Sequence, residues 1–228
     1  MADNVASTLA RGKADLERAT TAQKVADVLR ARVLNGELAP GVKLSEEAIG
    51  GALGVSRNTL REAFRLLTHD RLLVHEHSRG VFVRVPTKDD VHDIYAARRI
   101  IECGALSRWD EASDEAKQAV KEAVEFGQQG ARTDNWADVG TGNIRFHQAI
   151  TRLAGSERLN EDADRLYAEV RLAFQMTRET RQFYERYLQW NVKIVELLNK
   201  NKTQEAVSTL DEYFRIAEQD VVTHLSAS

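Results

Sequence analysis

The chain contains few of the residues that break helices or cross-link a fold. Its single cysteine, Cys103, excludes an intrachain disulfide and a cysteine-rich zinc module. Its two prolines are Pro40 and Pro86, so residues 87–228 contain none. Because proline breaks helices more strongly than any other residue, this second part of the chain is predicted to form long helices.

Long apolar runs are absent as well. No stretch of the sequence approaches the roughly 18 consecutive apolar residues that a membrane span needs. The N-terminal residues lack the apolar core of a signal peptide. The sequence therefore predicts a cytoplasmic protein without a membrane partner.

A net positive charge is absent, since the formal net charge is -3, and this balance alone would argue against a nucleic-acid partner. The charge is nevertheless divided along the chain. Residues 1–86 contain 13 Lys and Arg against 10 Asp and Glu, whereas residues 87–228 contain 19 against 25. Such an asymmetry indicates that the first part is the one that meets a polyanion.

Short helical patterns and turn residues alternate in the first part. Residues 1–19 are polar and are predicted to form a flexible tail. After a first helix, Ser45 and Ser56 are placed as the N-caps of two short helices, and Gly54 lies in the turn between them. This arrangement predicts a helix-turn-helix. The second helix would bury one face, formed by Leu60, Ala63, Phe64 and Leu67.

Two β-rich runs, Leu72–Val74 and Val81–Val85, follow these helices. They are separated by a charged turn, Ser78–Gly80, and predict a β-hairpin wing. Residues 20–86 are therefore interpreted as a winged helix-turn-helix with three helices and one hairpin.

Residues 87–228 show helical periodicity of apolar residues and no sustained alternation of apolar and polar residues, which is the pattern of a strand. Thr87 and Asp90 fit a capping box at the start of this region. Six or seven helices are predicted, which favours an antiparallel all-α bundle, so the fold class is mainly α. The predicted helices are Asp89–Trp109, Ser113–Gln129, Asn135–Leu153, Glu157–Thr177, Arg181–Asn199 and Thr203–Leu225.

The exposed residues of the second helix and of the wing are of the types that contact DNA. An arginine donates two hydrogen bonds to guanine, an asparagine pairs with adenine, and a threonine bonds phosphate or base. An arginine pair alone would favour an ordinary solvated helix face, but the turn, the caps and the basic wing agree with one another. The predicted contacts to double-stranded operator DNA are Arg57, Asn58, Thr59 and Arg61 on the helix, and His77, Arg79 and Gly80 in the wing.

The run LSEEAIGGALGVSRNTLREAFRLL, followed by DRLLVHEHSRGVFV, resembles the DNA-binding domain of GntR-family transcriptional regulators. The run DIYAARRIIE resembles the first helix of the FCD (FadR C-terminal) ligand-binding domain of that family, with Arg98 and Glu102 at its characteristic positions. The resemblance implies a regulator, most simply a repressor, with no enzymatic activity and with a small organic effector. A homodimer is expected because one recognition helix reads few base pairs.

Many FCD domains bind a divalent metal through an aspartate and three histidines, and the resemblance places Asn143, His147, Asn191 and Tyr213 at those positions. Only His147 is a good ligand, because amide and phenol oxygens bind zinc or nickel poorly. By itself, His147 would be interpreted as a hydrogen-bonded residue of the bundle. No cofactor is expected, although a divalent metal stays open. The four polar side chains instead predict a pocket for an organic effector.

Arg98 is the predicted partner of an effector carboxylate, because a guanidinium binds a carboxylate through two parallel hydrogen bonds. The alternative is an intrahelical pair with Glu102, whose i, i+4 spacing suits it, and the sequence does not separate the two. Arg99 is the second candidate. The last helices also carry aromatic residues that suit the core, the pocket or a dimer contact: Tyr167, Phe174, Tyr184, Tyr187, Trp190 and Phe214.

The alternative hypothesis for the whole chain is a metal-dependent enzyme, or a metal-responsive regulator, that uses the bundle pocket. Metal-assisted catalysis requires a cluster of ligands together with a poised base, and about three protein ligands are usual. The chain offers one histidine at the positions concerned, which favours the regulator with an organic effector.

Overall fold

The computed structural model describes residues 13–176 and 180–226, which divide into two compact units. Among these residues, the first unit contains 13–33 and 38–84, and the second contains 34–37 and 85–226. The longer segment of the second unit begins at Val85. None of the helices in the described ranges is long and apolar enough to cross a membrane.

Helix α1 (Lys13–Leu34) begins earlier than the sequence predicted. The prediction of a flexible tail over residues 1–19 is wrong from residue 13 onward, and residues 1–12 lie outside the described ranges. Six of the seven residues in the segment KADLERA are good helix formers, the exception being Asp15, so backbone propensity favours a helix here.

Helices α2 (Glu46–Leu53) and α3 (Arg57–His69) form the predicted helix-turn-helix. The Ser45 side chain accepts a hydrogen bond from the Ala48 amide, and Ser56 accepts one from Thr59, so both predicted N-caps are confirmed. Gly54 ends α2 with a φ of 64°, a conformation that favours glycine. The predicted inner face of α3 is buried.

The wing is part of a three-stranded antiparallel sheet in the order β1-β3-β2. Its strands are β1 (Lys43–Leu44), β2 (Leu73–Glu76) and β3 (Gly80–Val83). The hairpin of β2 and β3 was predicted, whereas β1 was missed because two residues are too few to show alternation. At the hairpin turn, Gly80 has a φ of 111°, as the glycine in this turn suggested.

Within the described residues, six α-helices form the second unit, together with a short 3-10 turn at Trp109–Glu111. The capping box of Thr87 and Asp90 is present at the start of the first of them. The predicted helices match these elements with small differences at their ends, and Thr177, the predicted end of one of them, lies outside the described residues. The helices are α4 (Lys88–Leu106), α5 (Asp114–Arg132), α6 (Trp136–Arg152), α7 (Glu157–Gln175), α8 (Thr180–Asn199) and α9 (Thr203–Ser226).

Helices α5 and α6 cross closely at two glycines. A Cβ atom added to Gly142 would lie 2.8 Å from the backbone of Gly127, so side chains at this crossing would push the helices apart. The close approach fixes α6, and α6 carries Asn143 and His147 into the interior of the bundle.

Candidate functional site

The exposed start of α3 carries most of the residues predicted to contact DNA. Arg57, Asn58 and Arg61 are exposed, whereas Thr59 is half-buried. The Thr59 hydroxyl lies 2.8 Å from Ser56 Oγ and therefore belongs to the helix cap. The first two turns of α3 thus present two arginines and an asparagine to solvent from a capped helix end.

The predicted wing contacts lie at the turn between β2 and β3. His77 and Arg79 are exposed, and Gly80 starts β3. The Arg79 guanidinium lies over the Phe82 ring at 5.4 Å, and it also pairs with Glu76. The ring contact keeps a positive charge at the tip of the wing, where phosphate or minor-groove contacts are made in winged folds.

The arginines of α3 have glutamate partners of different kinds. Arg61 Nε donates to both carboxylate oxygens of Glu46, at 3.2 and 3.1 Å. Arg65 donates to Glu62 through Nε at 2.9 Å and through Nη2 at 2.5 Å. The second pair lies within one turn of α3, whereas the first joins α3 to α2.

In the bundle, the four positions taken from the metal-binding pattern converge in the interior. Asn191 Nδ2 donates to Asn143 Oδ1 at 2.8 Å. The Tyr213 hydroxyl lies 3.4 Å from the same Asn143 oxygen and 3.0 Å from His147 Nε2. All four side chains are buried, so the cluster is closed to bulk water.

Glu102 extends this cluster on the other side of the imidazole. His147 Nδ1 lies 2.6 Å from Glu102 Oε2, and Arg98 Nε donates to Glu102 Oε1 at 2.9 Å. Burial disfavours the Glu102 carboxylate, but His147 and Arg98 outweigh it and lower the pKa of Glu102. Glu102 is therefore ionised at neutral pH and acts only as an acceptor.

The ionised carboxylate fixes the protons of the cluster. Burial is the largest influence on His147 and lowers its pKa, although Glu102 opposes this, so the ring is neutral at pH 7. Its single proton lies on Nδ1, which faces Glu102, and Nε2 is left as an acceptor. Burial raises the pKa of Tyr213 to about 12, so the Tyr213 hydroxyl is protonated at pH 7. It therefore donates a hydrogen bond to Nε2.

Arg98 makes the intrahelical pair with Glu102 that was the alternative to a carboxylate contact, and its terminal nitrogens take no part in that pair. Nη1 and Nη2 are buried and have no hydrogen-bond partner among the described residues. The guanidinium is packed against aromatic rings, at 4.6 Å from Phe214, 5.0 Å from Tyr95 and 6.0 Å from Tyr167. The two interpretations of Arg98 are thus compatible, because the pair uses only Nε.

Other polar atoms of the cluster are also without partners in the described part of the chain. They are the Tyr95 hydroxyl, Asn143 Nδ2 and Asn191 Oδ1. Arg99 differs, since it donates to Asp211 at 3.1 Å and is partly exposed. A buried polar atom without a partner costs free energy, and a polar ligand in the cluster would relieve that cost.

Several residues of the cluster were not predicted as site residues. Tyr95 lies three residues before Arg98 and seven before Glu102, so these three share a face of α4, a spacing that the sequence displays. The Tyr167 hydroxyl donates its one proton to the His147 carbonyl at 3.0 Å, so Thr151 is the donor in its 2.6 Å contact with Tyr167. No sequence pattern predicts the contact between Thr151 and Tyr167, because they lie on different helices.

The aromatic residues of the last helices divide between the cluster and the core. Phe214 and Tyr167 contact the Arg98 guanidinium. Phe174, Tyr184 and Tyr187 pack around Phe183, and Trp190 is half-buried. Tyr187 and Trp190 also lie against the Tyr213 ring, with centroids 5.3 and 6.4 Å apart, so they border the polar cluster as Phe214 and Tyr167 do.

The donor set does not fit a divalent metal. Both ring nitrogens of His147 are engaged, and the remaining donors at the four positions are amide and phenol groups. Among the described residues, no group of three or more His, Cys, Asp or Glu side chains is arranged to hold an ion. A zinc-like ion needs anionic or imidazole ligands with free lone pairs, which this arrangement does not offer.

A winged helix-turn-helix followed by an α-helical bundle with a buried polar cluster is the architecture of a two-unit transcription regulator. Residues 21–83 match the family described as bacterial regulatory proteins of the gntR family, and residues 93–215 match the FCD domain. The chain belongs to the GntR family of regulators that carry an FCD domain, which is a family of regulators and not of enzymes.

Solved structures show the same fold. A GntR-type transcriptional regulator from Rhodococcus sp. RHA1 is 36% identical, with a TM-score of 0.83 over 90% of this chain and 98% of that chain. The E. coli protein McbR/YncC is 17% identical, with a TM-score of 0.75 over 89% of this chain and 97% of that chain.

Among curated proteins, the gluconate operon transcriptional repressor of Bacillus licheniformis is 27% identical over 138 residues. The match covers 60% of this chain and 56% of the repressor. The chain spans about half or less of the length of the curated relatives it matches.

Proposed function

We propose that the chain is a sequence-specific, DNA-binding transcription regulator of the cytoplasm, with residues 20–86 as the DNA-binding domain and 87–228 as the effector domain. The observation that carries the first part is the capped start of α3, which exposes Arg57, Asn58 and Arg61 to solvent. An exposed helix end with arginine and asparagine suits the major groove. Repression is the favoured mode, since several relatives are named repressors.

The regulator acts as a homodimer in this proposal. One recognition helix reads only a few base pairs, and a two-fold dimer doubles the site and reads a pseudo-palindromic operator. Sedimentation of the full chain with and without operator tests the dimer directly. A monomer that binds one half-site with full affinity would contradict it.

Binding to DNA is tested by titrating the full chain against a duplex enriched from a random-sequence library and against an unrelated duplex. Arg57→Ala is expected to lower affinity for the enriched duplex by about 1–3 kcal/mol and to relax its sequence preference. Arg79→Ala is expected to make the binding constant less dependent on salt concentration for both duplexes, by about one released counterion, because the wing contacts phosphate. Equal affinity of the wild type for all duplexes would exclude the function.

The second part of the proposal is that a small organic carboxylate binds at the buried cluster. The observation that carries it is the Arg98 guanidinium, which is fully buried and has two terminal nitrogens without partners among the residues described. Two parallel N–H groups match the two oxygens of a carboxylate. Asn143, His147, Asn191 and Tyr213 would contact the remaining polar groups of the effector.

Because the cluster is closed to water, effector entry requires a second conformation of the bundle. An effector that binds one conformation more tightly shifts the population toward it, and operator affinity changes by the same coupling free energy. In this way a ligand inside the bundle controls binding at α3 and the wing.

Calorimetric titration with a panel of carboxylates tests the effector site. Gluconate is the natural first probe, given the name of the Bacillus relative, and its uncharged amide is the matched control. Arg98→Lys is expected to weaken carboxylate binding at least tenfold, because an ammonium group lacks the planar pair of donors. Arg99→Lys should leave it unchanged. Equal binding of acid and amide would exclude Arg98 as the carboxylate partner.

A further inference from the structure

Glu46 holds the guanidinium of Arg61 from a different helix. It is the first residue of α2, whereas Arg61 lies in the second turn of α3, so their contact crosses the helix-turn-helix. Only Nε of Arg61 takes part, with two nearly equal distances of 3.2 and 3.1 Å to the two carboxylate oxygens. Nη1 and Nη2 donate to no residue in the described ranges.

Arg65, one turn further along α3, provides the contrast. Its contact with Glu62 occupies both Nε and Nη2, which are two of the three guanidinium nitrogens. Recognition of guanine O6 and N7 by one arginine requires two nitrogens on one edge. Arg61 keeps both terminal nitrogens for such a contact, whereas Arg65 must first release Glu62.

We propose that Glu46 is a positioning residue for base recognition, which holds Arg61 through Nε so that Nη1 and Nη2 face a guanine edge. The inference rests on the proposed DNA-binding function. A free arginine side chain loses rotamer freedom when it binds, and it reaches phosphates as readily as bases. A side chain held at Nε loses less freedom on meeting the matching base and reaches fewer phosphates.

The charge of Glu46 acts in the same direction. Its carboxylate lies beside the surface that would meet DNA and is about one-third exposed. A negative charge at this position repels phosphates of every sequence, so it lowers non-specific affinity without lowering discrimination between bases. Glu46 therefore raises the ratio of specific to non-specific affinity by two routes.

The test uses full-length protein and a duplex enriched by the wild type from a random-sequence library. Dissociation constants are measured by fluorescence anisotropy at two salt concentrations, for the enriched duplex and for duplexes in which each guanine is replaced in turn. Glu46→Ala is expected to reduce discrimination at one guanine position about tenfold. It is also expected to raise affinity for an unrelated duplex.

Glu62→Ala is the matched control, since it removes the same charge from the same surface without touching Arg61. It is expected to leave discrimination at that guanine unchanged. Glu46→Gln, which retains an acceptor for Nε, should preserve part of the discrimination while raising non-specific affinity as the alanine variant does. Thermal melting of all variants shows whether the helix-turn-helix remains folded.

A double-mutant cycle separates positioning from a general electrostatic effect. If Glu46 acts through Arg61, Glu46→Ala causes no further loss of discrimination in the Arg61→Ala background. Equal losses in both backgrounds, or unchanged discrimination in Glu46→Ala, would overturn the inference while leaving the DNA-binding function intact. Failure of the wild type to enrich any sequence would overturn both.

Discussion

Two arginine–glutamate pairs with the same chemistry lie in different surroundings in this protein. The side chains of Arg61 and Glu46 are 66% and 33% exposed, whereas those of Arg98 and Glu102 are both 0% exposed. Exposed pairs contribute about 0–1 kcal/mol, so DNA can displace the Glu46 contact readily. Removing one partner of a buried pair leaves a buried charge uncompensated. The surface pair is therefore suited to exchanging partners, and the interior pair to maintaining one arrangement.

The largest effect is expected when the interior pair is broken. Glu102→Ala leaves the Arg98 charge buried without a carboxylate and should destabilise the second unit by about 3–5 kcal/mol. All three tryptophans, Trp109, Trp136 and Trp190, lie in that unit, so urea unfolding followed by tryptophan fluorescence reports on it.

Two further variants test the cause of that loss. Glu102→Leu combined with Arg98→Met removes both charges and should recover most of the stability, because no buried charge is left unpaired. Glu46→Ala should change stability by about 1 kcal/mol or less. The contrast between interior and surface would be wrong if Glu46→Ala and Glu102→Ala cost the same.

The next effect concerns the surface pairs and is measured as binding. Arg61→Ala should lower affinity for an enriched operator duplex by about 1–3 kcal/mol, concentrated at one base position. Arg65→Ala is the matched control, because Glu62 occupies two of the Arg65 nitrogens. It should weaken binding to all sequences alike. Loss of base preference in the Arg65 variant alone would reverse the assignment of the reading arginine.

Acid should destabilise the interior cluster through His147. The pKa of His147 is lowered from 6.5 by burial, so below pH 6.5 the unfolded chain binds a proton that the folded chain does not. The contribution of neutral His147 to the free energy of unfolding is therefore fully present above pH 6.5. It decreases as the pH falls from there toward the pKa of His147 in the folded state. The contribution of Glu102 persists to lower pH, because its pKa is lowered from 4.5.

The pH effect is isolated by comparing the wild type with His147→Gln in urea unfolding between pH 7 and pH 5. The free energy of unfolding of the variant should depend less steeply on pH than that of the wild type. The difference in slope should correspond to about one bound proton at most. Every other ionisable group is the same in both proteins, so the difference between the two curves isolates residue 147. Parallel curves would mean that His147 is not held neutral in the folded chain.

Local patterns predicted much of the fold and part of the sites. The caps at Ser45 and Ser56 and the inner face of α3 depend on neighbouring residues, so periodicity revealed them. Strand β1 was missed because two residues show no alternation. The hydrogen bond between His147 and Glu102 joins residues 45 positions apart, and only the packing of α4 against α6 brings them together.

The smallest effect is expected at Tyr95, whose ring and hydroxyl have separate environments. The ring lies 5.0 Å from the Arg98 guanidinium, while the buried hydroxyl has no partner among the described residues. Tyr95→Phe keeps the ring contact and removes an unsatisfied polar atom, so unfolding stability should change by less than about 1 kcal/mol, in the direction of higher stability. If the effector bonds this hydroxyl, the same variant loses carboxylate affinity in calorimetry. A large loss of stability without ligand would instead show that the hydroxyl already has a partner in the folded protein.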